Sequence, residues 1–209
     1  ILRAFASGEA NVLVGTQMIA KGHDFPNVTL VGVLNADTGL NRPDFRAAEH
    51  TFQILTQVSG RAGRADKPGR VLVQTFNPDH YAIAAAAEHD FGSFYIRELA
   101  SRQDNLYPPF VKLLKFGFSD EDEERALEVA RRVSVLLEQC NVKFKHGDIR
   151  YVGPAEAPLH KLRGQFRYHT LLKGPSRKQL CILADEILTT LGDTGTTLVM
   201  VDVDPVDMM

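Results

Sequence analysis

The spacing of apolar and polar positions gives the two halves of the chain different rhythms. Ile1 to Ala6 carry helical spacing, and Gly8 and Asn11 end it. Val12-Leu13-Val14 and Val28 to Leu34 are short runs without polar alternation. Such runs predict strands buried on both faces, as in a parallel sheet. From Asp44 the period lengthens. Phe45, Ala48, Phe52, Leu55 and Val58 fall on one helical face, up to a glycine-rich segment at Gly60 to Arg64. Val71-Leu72-Val73 predicts a third strand. Asn77-Pro78 predicts a helix start, with Asn as cap and Pro at the first helical position. Strands alternating with helices predict an α/β layer. Three strands are few for such a sheet, and the chain opens on Ile1 inside a helical pattern. The first half is therefore expected to be part of a lobe whose other strands lie upstream in a longer protein.

Tyr107-Pro108-Pro109-Phe110 marks a boundary, because Pro-Pro cannot continue a helix and forces extended backbone. Beyond it the order changes. Val111 to Phe118 predicts a strand. Asp120 to Cys140 predicts a helix with Ala126, Val129, Ala130, Val133, Leu136, Leu137 and Cys140 on one side and an acidic first turn. Ile149 to Val152 and Phe166 to Leu172 predict strands. Ser176 with Gln179 is a capping-box pattern for a helix through Leu180, Leu183, Ile187 and Leu191, ended by Gly192. Thr197 to Val203 predicts the last strand. The order βαββαβ is that of a ferredoxin-like α+β domain. The division expected is 1–78 for the α/β lobe, 79–110 for a helical connector and the Pro-Pro linker, and 111–209 for the ferredoxin-like domain.

Composition changes this picture little. The 209 residues are 44% hydrophobic and 24% charged, with a net charge of −2, as in ordinary globular chains. No apolar run approaches the ~18 residues of a membrane span, and no signal peptide is expected. Cys140 and Cys181 lie far apart and fit the apolar faces of their helices. They read as core thiols and suit a reducing cytoplasm. The seven histidines show no metal spacing. Charge is uneven, however. Between Lys143 and Lys178, nine Lys and Arg residues stand against only Asp148 and Glu156.

Two segments carry chemistry. In Gln57-Val58-Ser59-Gly60-Arg61-Ala62-Gly63-Arg64, glycines let two guanidinium groups approach one anion. Arginine suits phosphate because its fork binds two oxygens and its charge does not titrate. Alone, such a pair would read as a solvated helix end. Upstream, directly after a predicted strand, stands Gly15-Thr16-Gln17-Met18-Ile19-Ala20-Lys21-Gly22-His23-Asp24-Phe25. Together, in this order, the two segments resemble motifs V and VI of superfamily 2 helicases. Further along stand Pro108-Pro109-Phe110, Gly153-Pro154-Ala155, Ala157-Pro158, Arg167-Tyr168, Pro175-Ser176-Arg177 and Val201-Asp202-Val203-Asp204-Pro205. With these the resemblance narrows to the replication-restart helicase family of primosomal protein N′ and spans nearly the whole chain.

The resemblance implies a RecA-like second motor lobe, followed by the family's C-terminal domain. It implies that Arg61 and Arg64 form an arginine-finger pair at the γ-phosphate of ATP, and that Gln57 couples them to nucleotide. Thr16, Gln17 and Lys21 would contact the DNA backbone. Gly22 and Asp24 would close the first motif on the nucleotide side. The plain alternative for Thr16 and Asp24 is turn and cap chemistry. No phosphate loop or Asp-Glu magnesium motif is present. In the family both belong to the first lobe, so ATP and Mg2+ would be held mainly there. Zinc is expected in the full-length protein but not in this piece. The piece alone is expected to be inactive.

The second half adds a basic segment: Lys143, Lys145, Arg150, Lys161, Arg163, Arg167 and Lys173, interleaved with Phe144, Tyr151, Phe166 and Tyr168. Basic side chains neutralise phosphates and aromatic faces stack on unpaired bases. Arg163, Arg167 and Tyr168 are the candidates for DNA. The competing reading is a solvated sheet face whose rings belong to the core. Arg177 and Lys178 follow a helix cap, where anions are favoured. In the family the equivalent surface is expected to hold the acidic C-terminal tail of single-stranded DNA-binding protein. The expected function is a 3′→5′ ATP-dependent DNA helicase acting at stalled or branched forks in the bacterial cytoplasm, at the nucleoid. Its partners would be forked and single-stranded DNA and other primosome proteins, and no membrane. The rivals are another superfamily 2 translocase of repair or branch migration, and a scaffold that has lost motor activity.

Overall fold

The computed structural model describes residues 1–16, 27–60, 69–144 and 149–208, with side chains throughout except at 141–144. The described residues form two units. One comprises Ile1–Arg42 and Arg46–Leu99, and the other Pro43–Phe45 and Ala100–Met209. Residues 79–99, which the sequence assigns to a connector, pack in the first unit.

In the first unit, α1 (Leu2–Ala6) ends before Gly8, which takes a φ of +82°. Strands β1 (Leu30–Val33) and β2 (Arg70–Val73) pair in parallel, from Leu30 opposite Arg70 to Val33 opposite Val73. Val12-Leu13-Val14 is not a strand. Val12 and Val14 are exposed, and no described strand pairs with them. An apolar run becomes a strand only where a ladder partner takes up its N–H and C=O groups.

Helices α2 (Asp37–Leu40) and α3 (Ala47–Ser59) lie between these strands in sequence. Helix α3 buries Ala47, Thr51, Phe52, Leu55 and Val58. Phe45, expected on that face, precedes the helix and packs in the second unit instead. Helices α4 (Tyr81–Ala87) and α5 (Phe91–Asp104) complete a core of Phe52, Leu55, Ala82, Ala86 and Phe94. The Phe52 and Phe94 rings stack 4.1 Å apart.

The cap expected at Asn77 is corrected. His80 caps α4, its Nδ1 accepting from the Ala82 N–H at 3.2 Å. Asn77 instead donates through Nδ2 to the buried Asp37 at 2.8 Å. Asp37 also accepts from the Thr75 hydroxyl at 3.0 Å and the Phe76 N–H at 2.9 Å. These bonds, the Phe76 N–H first, hold its carboxyl below the ordinary carboxylate value against the opposing effect of burial.

The second unit is βαββαβ: β3 (Lys112–Asp120), α6 (Glu123–Phe144), β4 (Arg150–Leu162), β5 (Gln165–Gly174), α7 (Arg177–Leu191) and β6 (Leu198–Val203). The strands lie in the order β4-β5-β3-β6 with every neighbour antiparallel, which is the ferredoxin-like arrangement. One sheet face, through Leu114, Phe116, Phe118, Tyr168 and Leu172, packs on Ala126, Val129, Ala130 and Val133 of α6 and on Leu180, Leu183 and Ile187 of α7. On the other face Leu113 and Leu171 pack with Met208. Ser176 caps α7 as its sequence predicts, accepting from the Gln179 N–H at 3.2 Å.

Strand β4 is longer than the sequence predicts, because it runs through Pro154 and Pro158. It is an edge strand with register shifts between Val152 and Ala155 and between Glu156 and Lys161. Edges and bulges are where a sheet tolerates proline. Gly153 has a φ of +124°, and a Cβ there would fall 2.7 Å from the His169 carbonyl oxygen, so only glycine fits.

Candidate nucleotide and nucleic-acid interface

The two motif segments divide between described and undescribed residues. Gln17, Lys21, Gly22, Asp24, Arg61 and Arg64 lie outside the described residues. Thr16 is exposed and lies outside any helix or strand. Gln57 lies near the end of α3 on its exposed side, one turn beyond Gln53, which donates to Glu49 Oε1 at 3.1 Å. The opposite side of α3 is fixed in the core by Phe52 and Leu55. In the last turn the hydroxyls of Thr56 and Ser59 donate back to the carbonyls of Phe52 and Leu55. The helix therefore presents Gln57 to solvent. It then leads through Gly60 into the segment that holds the two arginines.

In the second unit the basic residues separate into different environments. Arg163 and Gly164 form the two-residue turn of the β4–β5 hairpin, closed by the pair Leu162 and Gln165. Their φ angles of +52° and +85° are those of a type I′ turn, and Arg163 is exposed. Arg167 is half-buried opposite Ser119, and alternation places it on the sheet face away from α6 and α7. His169 shares that face. Burial, then the charges of Lys115 and Arg167, push its pKa below the ordinary imidazole value. Lys173 is engaged internally. Its Nζ donates to the Asn105 carbonyl at 2.8 Å and stands 3.6 Å over the Tyr107 ring, and burial lowers its pKa. Lys145 and the side chains of Lys143 and Phe144 lie outside the described residues.

Tyr168 belongs to the core. It is 6% exposed, its hydroxyl donates to Glu123 Oε1 at 3.1 Å, and its ring meets His160 edge-on at 5.3 Å. Its assignment to base stacking is withdrawn, because no face of the ring is open to a base. Tyr151 likewise packs against the core, and Lys161 Nζ stands 4.2 Å over Phe166. The two tyrosines of the nucleic-acid pattern are thus core packing, while Arg163 keeps an open, cationic position.

Arg177 and Lys178 are exposed at the start of α7. Arg177 has an internal partner that the sequence did not suggest. Its Nε donates to Asp204 Oδ2 at 2.9 Å, and Nη2 reaches the same oxygen. Asp204 sits at a φ of +50° just past β6, and its Oδ1 accepts from the Leu113 N–H at 3.3 Å. Burial works against the charge of Asp204. The hydrogen bonds from Arg177 and Leu113, with the charges of Arg177 and Lys112, outweigh it and keep the carboxyl below its ordinary value. A carboxylate tied down through a tight turn at the end of the last strand has no signal in sequence spacing.

Among the described residues, no group of three or more His, Cys, Asp or Glu is arranged to hold a metal ion. No described helix is long and apolar enough to cross a membrane.

The arrangement is that of a helicase-type lobe followed by a small α+β domain. A model of the helicase conserved C-terminal domain matches residues 1–66, and one of the primosomal protein N C-terminal domain matches residues 103–206. The chain belongs to the replication restart protein family, of which these two parts are a segment. The replication restart protein PriA of Bacillus subtilis (strain 168) is 43% identical over 213 residues, covering 100% of this chain and 26% of the relative. Those of Treponema pallidum (strain Nichols) and Synechocystis sp. are 40% and 38% identical, covering 100% of this chain and 31% and 24% of the relatives. The chain spans about a quarter to a third of the length of the curated relatives it matches.

Proposed function

We propose that the full-length protein is an ATP-dependent DNA helicase that moves 3′→5′, recognises stalled or branched replication forks and starts primosome assembly for replication restart. The observation that carries this is the order of parts: a helicase C-terminal lobe with the two motif segments, followed by the primosomal C-terminal domain. Arg61 and Arg64 stabilise charge on the γ-phosphate during phosphoryl transfer. Gln57, exposed near the end of α3, reports nucleotide to that pair, and Gly22 with Asp24 closes the first motif on the nucleotide. Thr16, Gln17 and Lys21 track the DNA backbone. ATP with Mg2+ supplies the phosphoryl group and is held mainly by the first lobe. Zinc is expected in the longer protein, outside this chain.

In the second unit, Arg163 and Arg167 contact nucleic-acid phosphates. Arg177 with Lys178 receives the C-terminal carboxylate of single-stranded DNA-binding protein, in competition with Asp204. Other primosome proteins are the remaining partners, and the setting is the bacterial cytoplasm at the nucleoid. The test is ATP turnover by the full-length protein with and without forked DNA. Turnover stimulated by the fork is expected. Equal turnover with and without DNA overturns the reading.

A further inference from the structure

The four-stranded sheet of the second unit packs both of its helices on one face. The opposite face is divided. At one end Met208 packs on Leu113 and Leu171, and Lys115 Nζ donates to the Asp207 carbonyl at 3.1 Å. Toward the other end the strand register sets side chains in two rows. Met200, Gly117 and His169 lie side by side across β6, β3 and β5, and Leu198, Ser119 and Arg167 form the next row. Alternation turns all six away from the helices. Met200 is 51% exposed and Leu198 65%, while Gly117, Ser119, Arg167 and His169 are half-buried.

The centre of these rows is low. Gly117 has no side chain, and a Cβ there would lie 3.5 Å from Met200 Cε, an ordinary contact. Neighbouring strands lie about 4.7–4.9 Å apart, so the β5 and β6 backbones flank Gly117 at about 9–10 Å from each other. That spacing admits one flat ring between the Met200 and His169 side chains. The charge is of one sign. None of the six residues is acidic, and the carboxylate of the adjoining row, Asp202, lies beside Lys115. Arg167 has no hydrogen-bond or ion-pair partner among the described residues. His169 adds a ring and an unanswered polar atom. Burial, the first cause of its lowered pKa, leaves the imidazole uncharged at neutral pH. Its Nδ1 is buried without a hydrogen-bond partner among the described residues. Buried polar atoms are normally paired, and the edge of a nucleic-acid base carries both donors and acceptors.

A four-stranded sheet holds unpaired nucleotides by packing bases on side chains, histidine included, and phosphates on cations. We infer that this face is a site for single-stranded nucleic acid, with one unpaired base over Gly117 between Met200 and His169 and its phosphate on Arg167. The site rests on the phosphate role given to Arg167 above and not on the motor reading.

The test uses the full-length protein and an oligothymidine with one central 5-iodouracil, photocrosslinked and mapped by proteolysis and mass spectrometry. Crosslinks are expected within residues 115–119, 167–169 or at Met200, and are absent when the same strand is paired in a duplex. Gly117→Val fills the space over the floor with a residue that strands favour. It should cut the crosslink yield at this face about tenfold, the size of one stacked base, with no loss in urea midpoint. Gly117→Ala, which makes only an ordinary contact, should keep most of the yield. Competition by a strand whose central nucleotide is abasic separates base from phosphate. Arg167→Gln should weaken that competition, and Gly117→Val should not. A yield that folded Gly117→Val leaves unchanged overturns the base site, as does a face that takes no crosslink. The competition with Arg167→Gln then still decides the phosphate role. A wild-type dimer that Met200→Lys dissolves also overturns the site, because a second copy would then cover this face.

Discussion

Arg177 presents one edge of its guanidinium to a single oxygen of Asp204, so the exposed fork faces an internal carboxylate before any ligand arrives. The two partners contribute unequally to the fold. The Arg177 side chain is 65% exposed and Asp204 only 27%, and Asp204 also receives the Leu113 N–H. Asp204→Ala should therefore destabilise the chain by about 1–3 kcal/mol. Arg177→Ala should cost no more than about 1 kcal/mol. Urea unfolding followed by circular dichroism checks the ranking, and equal losses would contradict it.

The same carboxylate sets a pH dependence. The folded pKa of Asp204 lies below its ordinary value of 3.8. Its stabilising contribution is thus complete above the unfolded value and is lost as pH falls through the folded one. Asp37 behaves in the same sense. Asp37→Asn should lower the urea midpoint at neutral pH, and the gap to wild type should narrow in acid. A gap that stays constant down to the most acid pH at which both proteins fold would refute this.

Anionic ligands should distinguish Arg177 from Arg163. A peptide with a free C-terminal carboxylate should lose most of its affinity on Arg177→Ala, with a shallow salt dependence. Asp204→Asn should raise its affinity by releasing the fork. Single-stranded DNA should lose only a fraction of its affinity on Arg163→Asn, with the salt slope reduced by about 1. Titrations at two salt concentrations read both effects. Peptide affinity indifferent to Arg177→Ala would remove that residue from the partner surface.

Tyr168 offers a direct test of core against interface. Tyr168→Phe removes the hydrogen bond to Glu123 and should cost about 1 kcal/mol of stability, while DNA affinity stays at the wild-type level. A loss of DNA affinity without a loss of stability would restore the stacking role.

For the motor, Arg64→Ala in the full-length protein should lower DNA-stimulated ATP turnover by roughly 10³-fold or more with little change in DNA binding. A variant that keeps most of its turnover would show that the pair does not reach the γ-phosphate.

What sequence could and could not show follows from the range of each interaction. The Ser176 cap was legible because donor and acceptor lie three residues apart. The second-unit topology was legible because each amphipathic period is local and strong. Asn77 was misread because its amide answers to Asp37, forty positions away, and that contact outweighs a local capping preference. Phe45 fits a helical period yet lies outside the helix, since Tyr107 holds its ring. Val12 to Val14 has the composition of a strand but no described ladder partner. The basic and aromatic segment carried two readings that composition could not separate. Burial of Tyr168 separated them.

Arg163 occupies left-handed backbone at the hairpin turn, where an L side chain costs roughly 1–2 kcal/mol per residue and glycine or asparagine would sit without strain. The hairpin therefore carries its tip charge against its own folding preference. Exchange for asparagine would make the turn sturdier as it loses its cation. A survey for stabilising changes would select that exchange, and one for ligand affinity would reject it. At this one position, thermal tolerance and electrostatic reach pull in opposite directions.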